Sequence, residues 1–190
     1  MVRALMSLAV VFALAAPGLA RAQGAYWTTK TVLKDFFKDA ERVTFVEVSG
    51  ADVTRATGEP AARDKYVVFV ATTGGRIDGY AVIDDEKGQH QPITFAVKLD
   101  AEGRVTRTEI MVYREGYGDE IRESRFRKQY VGKGPKDALR FGDDVVAISG
   151  ATISSRSMTT AVRRSVAIVD LVRGRKAANT QASLPTPPQG

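Results

Sequence analysis

Residues 92–113 read Pro92-Ile93-Thr94-Phe95-Ala96-Val97-Lys98-Leu99, then Asp100-Ala101-Glu102-Gly103, then Arg104-Val105-Thr106-Arg107-Thr108-Glu109-Ile110-Met111-Val112-Tyr113. Successive side chains of an extended strand point to opposite faces, so Ile93, Phe95 and Val97 fall on one face of a half-buried strand. The Asp-Ala-Glu-Gly interruption is turn chemistry, and Val105 to Tyr113 returns through Ile110 and Val112 among alternating Thr and Arg. Two strands joined by four residues can only lie antiparallel, because a parallel return needs a crossover of a dozen residues or more.

Reading outward upstream, Arg76 to Ile83 alternates loosely through Ile77, Tyr80 and Val82, and Tyr66 to Ala71 is a β-branched and aromatic run suited to a central strand. Gly74-Gly75 turns between them, and Asp84 to Gln91 reads as a charged turn around Gly88. Val43, Phe45 and Val48 mark a further strand, followed by a polar loop or weak strand from Gly50 to Asp64. From Thr28 to Glu41, Val32, Phe36, Phe37 and Ala40 recur at helical spacing behind a Thr28 or Thr29 cap. Downstream, a short helix is expected after Asp119, and a closing helix from about Ser154 to Arg173 buries Met158, Ala161, Val162, Val166, Val169 and Leu171. The expected class is α+β, an antiparallel sheet flanked by helices in a single domain.

Two stretches carry chemistry. Val145-Val146-Ala147-Ile148-Ser149-Gly150-Ala151-Thr152-Ile153-Ser154-Ser155 runs from an apolar, strand-like segment, through Gly150 and Ala151, into the hydroxyl-rich start of the closing helix. Small residues admit close approach to the backbone, and a helix start offers unpaired N–H groups to an anion, so this is a phosphate-friendly corner. Ser and Thr are equally at home there as helix caps. Directly after the hairpin, Arg114-Glu115-Gly116-Tyr117-Gly118-Asp119-Glu120 brackets an aromatic between glycines, a tight loop presenting a ring.

Together these stretches resemble the FMN-binding domain family, which includes the periplasmic flavoprotein subunits of Rnf and sodium-translocating NADH:quinone oxidoreductase complexes. Ser149-Gly150-Ala151-Thr152 followed by Ile153-Ser154-Ser155 is similar to that family's flavinylation motif. Tyr113-Arg114-Glu115-Gly116-Tyr117-Gly118-Asp119, with Gln129-Tyr130-Val131-Gly132-Lys133 after it, resembles the loop and short helix of its single-domain periplasmic branch. One position departs: the motif's Asp is Val146 here, with Asp143 and Asp144 out of register.

The resemblance implies FMN joined to Thr152 through a phosphoester, with FAD as donor and a magnesium-dependent flavin transferase as the enzyme that acts on this chain. Ser149, Gly150, Ala151, Ser154 and Ser155 would surround the phosphate. Tyr117 would cover the isoalloxazine face or plug the loop. Glu115 would order the loop or bond the flavin edge, or pair in solvent with Arg114, which would otherwise favour the reduced ring. Such a protein carries electrons between membrane or periplasmic redox partners rather than turning over a substrate. Two other readings stay open: a non-covalent flavin-binding or adaptor module, which Val146 favours, and a flavin-dependent reductase of a small periplasmic substrate.

Composition narrows the field. The 190 residues contain no Cys and one His, His90, which excludes disulfides, thiolate metal sites, thiol nucleophiles and multi-histidine haem ligation. Ser149 lacks the Gly-x-Ser-x-Gly setting of a hydrolase nucleophile, and neither a catalytic constellation nor a metal set is expected. The formal charge of +6 comes from 28 basic and 22 acidic residues, interspersed, without a nucleic-acid footprint. Arg3, the apolar run from Ala4 to Ala16 and Ala20-Arg21-Ala22 read as a secretory signal over 1–22, cleaved or retained as a tether, which implies a periplasmic or otherwise exported protein. The domain then covers 23–174, and 175–190 reads as a disordered tail.

Overall fold

Thr28 sets the start of the first helix: its hydroxyl accepts the Thr31 N–H at 3.1 Å while the Thr31 hydroxyl accepts the Thr28 N–H at 2.9 Å. In the computed structural model, which describes residues 24–182 and side chains to residue 175, this helix is α1, Thr29–Phe36. It is shorter than the sequence pattern, because Phe37 leaves helical geometry to turn the chain into the sheet. The remaining elements are β1 (Gly24–Ala25), β2 (Arg42–Ser49), α2 (Gly50–Thr57), β3 (Lys65–Thr73), β4 (Arg76–Lys87), β5 (Pro92–Asp100), β6 (Val105–Tyr113), α3 (Ser124–Arg127) and α4 (Thr152–Ala182). Short 3-10 turns at Asp119–Arg122 and Lys128–Tyr130 flank α3.

The strands form one antiparallel sheet in the order β1-β6-β5-β4-β3-β2. The α+β class, with helices flanking an antiparallel sheet, is as the sequence led us to expect. The β5–β6 hairpin closes through Asp100, whose carboxylate accepts the Arg104 N–H at 2.8 Å, and Gly103 takes the left-handed conformation the turn requires, φ 80°. Its register runs from Thr94 opposite Val112 to Leu99 opposite Val105, with two irregular steps between.

The two faces of the sheet differ in side-chain size. Tyr66, Val68, Val70, Tyr80, Val82, Ile93, Phe95, Val97 and Leu99 point to the inner face and pack under Met158, Ala161, Val162, Ile168 and Val169 of α4. The outer face offers Ala71, Ala81, Ala96 and Met111, small enough at three positions for α1 to settle close with Val32 and Phe36, joined by Phe37 just beyond its end. Each fully buried Val, Ile, Leu, Phe or Met among them contributes roughly 1.5–3 kcal/mol, and α4 supplies more of these than α1, so it is the better anchored helix.

Three local expectations differ. The polar loop begins with α2, which buries only Val53 on the core and is held by its ends: the Ser49 hydroxyl accepts the Asp52 N–H at 3.2 Å, and Gly58 closes it at φ 72°. The charged turn after Ile83 is instead the end of β4, whose Asp84 is buried against Arg164 and Arg63. Val145 is fully buried but belongs to no strand, touching Phe141 through an isolated parallel bridge. The closing helix also runs further at both ends than its apolar pattern. The segment read as a signal, 1–22, lies outside the described residues, as do 183–190 of the segment read as a tail.

Candidate functional site

The turn after β4, the loop after β6 and the start of α4 meet at one corner. Tyr113, the last residue of β6, is the knot. Its phenol donates to the Tyr117 carbonyl and shares a 2.8 Å hydrogen bond with the buried Ser154 hydroxyl. Burial pushes the Tyr113 pKa up to about 12, so the phenol keeps the proton it donates. Gly118, at φ 91°, sits hard against this pair: a Cβ there would lie 2.7 Å from Ser154 Oγ and 2.8 Å from the Tyr113 hydroxyl. The second glycine of the loop is thus required by both conformation and space.

Glu115 fixes the other side. Its Oε1 accepts the His90 N–H at 2.6 Å and the Gln91 N–H at 2.9 Å, tying the loop to the β4–β5 turn. Gly88 leaves the room for it, since a Cβ there would be 2.4 Å from the same oxygen. Burial by itself would raise the Glu115 pKa, but the backbone N–H groups of Gln91 and His90 outweigh it and hold the carboxyl below the usual range. Of the roles considered, ordering the loop is the one this geometry carries. Arg114 does not pair with Glu115; its guanidinium donates to the Pro92 carbonyl at 2.9 Å and to Thr94 Oγ1 at 3.1 Å.

Between these two ties lies a cleft of about 200 Å³ lined by Gln89, Glu115, Tyr117, Gly118, Gly150, Ala151, Thr152, Ile153 and Ser154. The two sequence stretches, some thirty residues apart, therefore form opposite walls of one cleft. Thr152 opens α4 with its side chain exposed, and the Tyr117 ring is 84% exposed at the rim. In the first turn of a helix, the N–H groups of Thr152, Ile153 and Ser154 have no intrahelical acceptor, which leaves donors and the positive end of the helix dipole facing the cleft.

Two expected contacts fall elsewhere. Ser155 is fully buried; its N–H donates to the Ala151 carbonyl at 2.8 Å and its hydroxyl accepts the Ile148 N–H at 3.4 Å, so it closes the turn before the helix. Ser149 lines a neighbouring cavity with Val146, Ala147, Ile148 and Gln129. The free N–H groups also begin two residues earlier than expected, because α4 starts at Thr152. Gly150 needs its freedom for φ 84° rather than for clearance, as nothing lies within 4 Å of a Cβ there.

Sequence reasoning placed Tyr113 in the loop motif and Gly88 in a turn without giving either a role at the site, missed Gln89, and weighed His90 only as a side chain, although it enters through its backbone. It also missed the clamp on the motif: Gln129 Oε1 accepts the Val146 N–H at 2.9 Å and Nε2 donates to the Val146 carbonyl at 3.0 Å. Val146 itself is 67% exposed. Among the described residues there is no cluster of His, Asp or Glu able to hold a metal ion, and no helix long and apolar enough to cross a membrane.

Residues 88–167, which carry both walls of the cleft and the Gln129 clamp, match the family model described as an FMN-binding domain. The match falls on both motifs, as their resemblance to that family led us to expect. Among solved structures the chain is similar to one subunit of the Na(+)-translocating NADH-quinone reductase from Parabacteroides distasonis ATCC 8503, at 24% identity over 67% of this chain and 75% of that one, with a TM-score of 0.45. No curated protein matches the chain.

The residues present fit FMN held at the surface. The cleft is smaller than the roughly 300–1,000 Å³ that enclose most small-molecule ligands, so it can take the phosphate and part of a ring but not the whole cofactor. An anion-seeking helix start, an exposed hydroxyl and an exposed aromatic in one cleft suit a phosphate end and a planar end of the same molecule.

Proposed function

We propose that this chain is an exported flavoprotein that carries FMN on Thr152 and passes electrons between redox partners at or near the membrane. The observation that carries the proposal is the exposed Thr152 side chain at the first turn of α4, opposite the Glu115–Tyr117 loop, inside the FMN-binding segment. In the attachment step, Thr152 Oγ forms a bond to the FMN-side phosphorus of FAD, the pyrophosphate bond to AMP breaks, and AMP leaves. The hydroxyl proton passes to the magnesium-dependent flavin transferase, for which this chain is the substrate.

The Thr152, Ile153 and Ser154 N–H groups face the charge that remains on the phosphodiester. Tyr117 offers a face for the ring, while Tyr113, Ser154 and Glu115 hold the loop that presents it. Bound flavin supplies one- and two-electron redox chemistry, and the tether keeps an exported cofactor from diffusing away. The match of residues 88–167 to an FMN-binding domain is in keeping with that role.

Co-expression with a flavin transferase tests this directly. Wild-type protein should gain the mass of FMN and give a fluorescent band that survives SDS, and Thr152→Ala should lose both. Flavin that survives SDS in Thr152→Ala refutes the attachment site. Val146, exposed where the family motif has Asp, favours a second reading in which FMN is bound without a covalent bond. In that case wild-type protein purifies yellow and SDS releases the flavin. Turnover of a small acceptor without any protein partner would instead favour a reductase.

A further inference from the structure

α1 covers only part of the outer sheet face. Beside it, towards the free edge of β2, lies a groove of about 540 Å³ whose apolar floor includes Val43, Phe45 and Phe69 and whose rim carries Lys30, Lys34 and Lys38. Phe45 is 65% exposed in the middle of a strand, where a sheet-face aromatic is ordinarily covered. Among the described residues none of the three lysines is in an ion pair, although other charged groups of the same face are: Asp35 with Arg107, and Glu47 with Lys65. Lys30 and Lys34 stand one helical turn apart on α1, and Lys38 continues their line in the turn beyond it.

We propose that this groove docks an acidic amphipathic helix of a partner protein, lying alongside α1 and completing the helical layer on this face. The occupant's apolar stripe covers Phe45, Val43 and Phe69, and acidic residues recurring at three- or four-residue spacing face the lysine line.

The shape of the groove selects a helix. α1 rises about one helix diameter, roughly 10 Å, above the sheet, so Phe45 lies at the foot of a step. A flat lipid surface meets the polar side of α1 before it reaches Phe45, and a strand added along the free edge of β2 leaves the face of Phe45 open. Charge argues against 1–23 and 183–190 as the occupant, since neither contains an Asp or Glu. A two-fold contact with a second copy presents the same patch from both sides and sets lysine against lysine.

The groove is separate from the flavin corner. β2 is four strands from β6, about 19 Å at the usual strand spacing, so a partner docked there leaves Thr152 accessible. It serves as an anchoring surface, independent of how flavin is held.

The test is photo-crosslinking of the full chain in its own cells, with benzoylphenylalanine in place of Phe45 and the captured peptide sequenced. The expected result is one partner segment with net negative charge and apolar residues at three- and four-residue spacing. Its yield should fall by about ten-fold in the Lys30→Glu, Lys34→Glu, Lys38→Glu variant, whose exposed substitutions spare the core. Unchanged circular dichroism and melting of that variant would show that the loss is not unfolding. Capture of lipid, of a second copy, or of a neutral or basic segment overturns the proposal. So does the absence of a crosslink, or a yield indifferent to the charge reversal.

Discussion

α4 is fastened to the rest of the fold, over its first half, by two opposite kinds of chemistry. At its start the bonds are neutral: Ser154 with Tyr113, Ser157 donating to the Lys87 carbonyl at 2.6 Å, and Thr159 with Tyr130 at 3.0 Å. Halfway along they are charged: Arg164 lies 2.6 Å from Asp84 and 2.8 Å from Glu86, with Arg63 closing the cluster from the far side. The neutral bonds add no charge of their own at the helix start, whose positive end stays available to an anion, and the one carboxylate lining the cleft, Glu115, is held on the facing wall by backbone N–H groups. The charged cluster sits where no ligand is expected, so its strength does not disturb the site.

The comparison breaks most sharply at Arg164. Arg164→Met should cost about 3–5 kcal/mol in urea unfolding, because it leaves Asp84 buried without its closest cation. Arg164→Met with Asp84→Leu should recover part of that loss, since replacing a buried pair with apolar groups is often close to neutral, while Glu86 and Arg63 each still lose a partner. A double variant no better than the single would show that the cluster holds more than its own charges.

At the neutral end the expected effect is smaller. Gly118→Ala should cost about 1–3 kcal/mol, from a strained φ and a Cβ pressed on Ser154 and Tyr113. Amide exchange in 114–118 should rise while the sheet stays protected. Equal loosening of β5 and β6 would mean that loop and sheet open together.

The smallest effect separates two carboxylates. The Glu115 pKa is depressed in the folded protein, so the stability this group contributes is present above the ordinary carboxylate range and is lost as pH falls through its folded value. Asp84 runs the other way: burial raises its pKa in spite of Arg164 and Arg63, so its contribution is fully present below the unfolded pKa and is lost as pH rises through the folded one. Glu115→Gln should therefore flatten the acid side of the stability curve measured by thermal melts between pH 3 and pH 5 (a window of about two units around the free-carboxylate range). An unchanged acid limb would place the titrating group elsewhere.

What was readable in the sequence followed from local period. The Pro92–Tyr113 hairpin, α4 and the pairing of the two loops all rest on spacing or on motifs within a few residues. What was missed depends on partners far along the chain. β4 continues through Asp84 and Glu86 because Arg164, about eighty residues later, neutralises them, and no local pattern announces that. α2 lacks apolar periodicity, yet Ser49, Asp52 and Gly58 are start and stop signals that would have found it. Ser154 and Ser155 follow Thr152 as similar hydroxyls, and only the phase of the helix decides that both turn inward.

The two-residue strand β1 has a practical meaning. Gly24 stands opposite Tyr113 in the sheet, and the Arg122 guanidinium stacks 3.6 Å above the Tyr26 ring to pin the same segment beside the loop. The chain thus enters the fold next to the cleft, whereas α4 carries it about 46 Å away by its end at Ala182. The two ends are opposite handles. A surface attachment made just before Gly24 would turn this corner towards that surface, and one made after Ala182 would turn it outwards, so with FMN held on Thr152, as proposed, the same protein wired to an electrode by either end should differ widely in its rate of electron exchange.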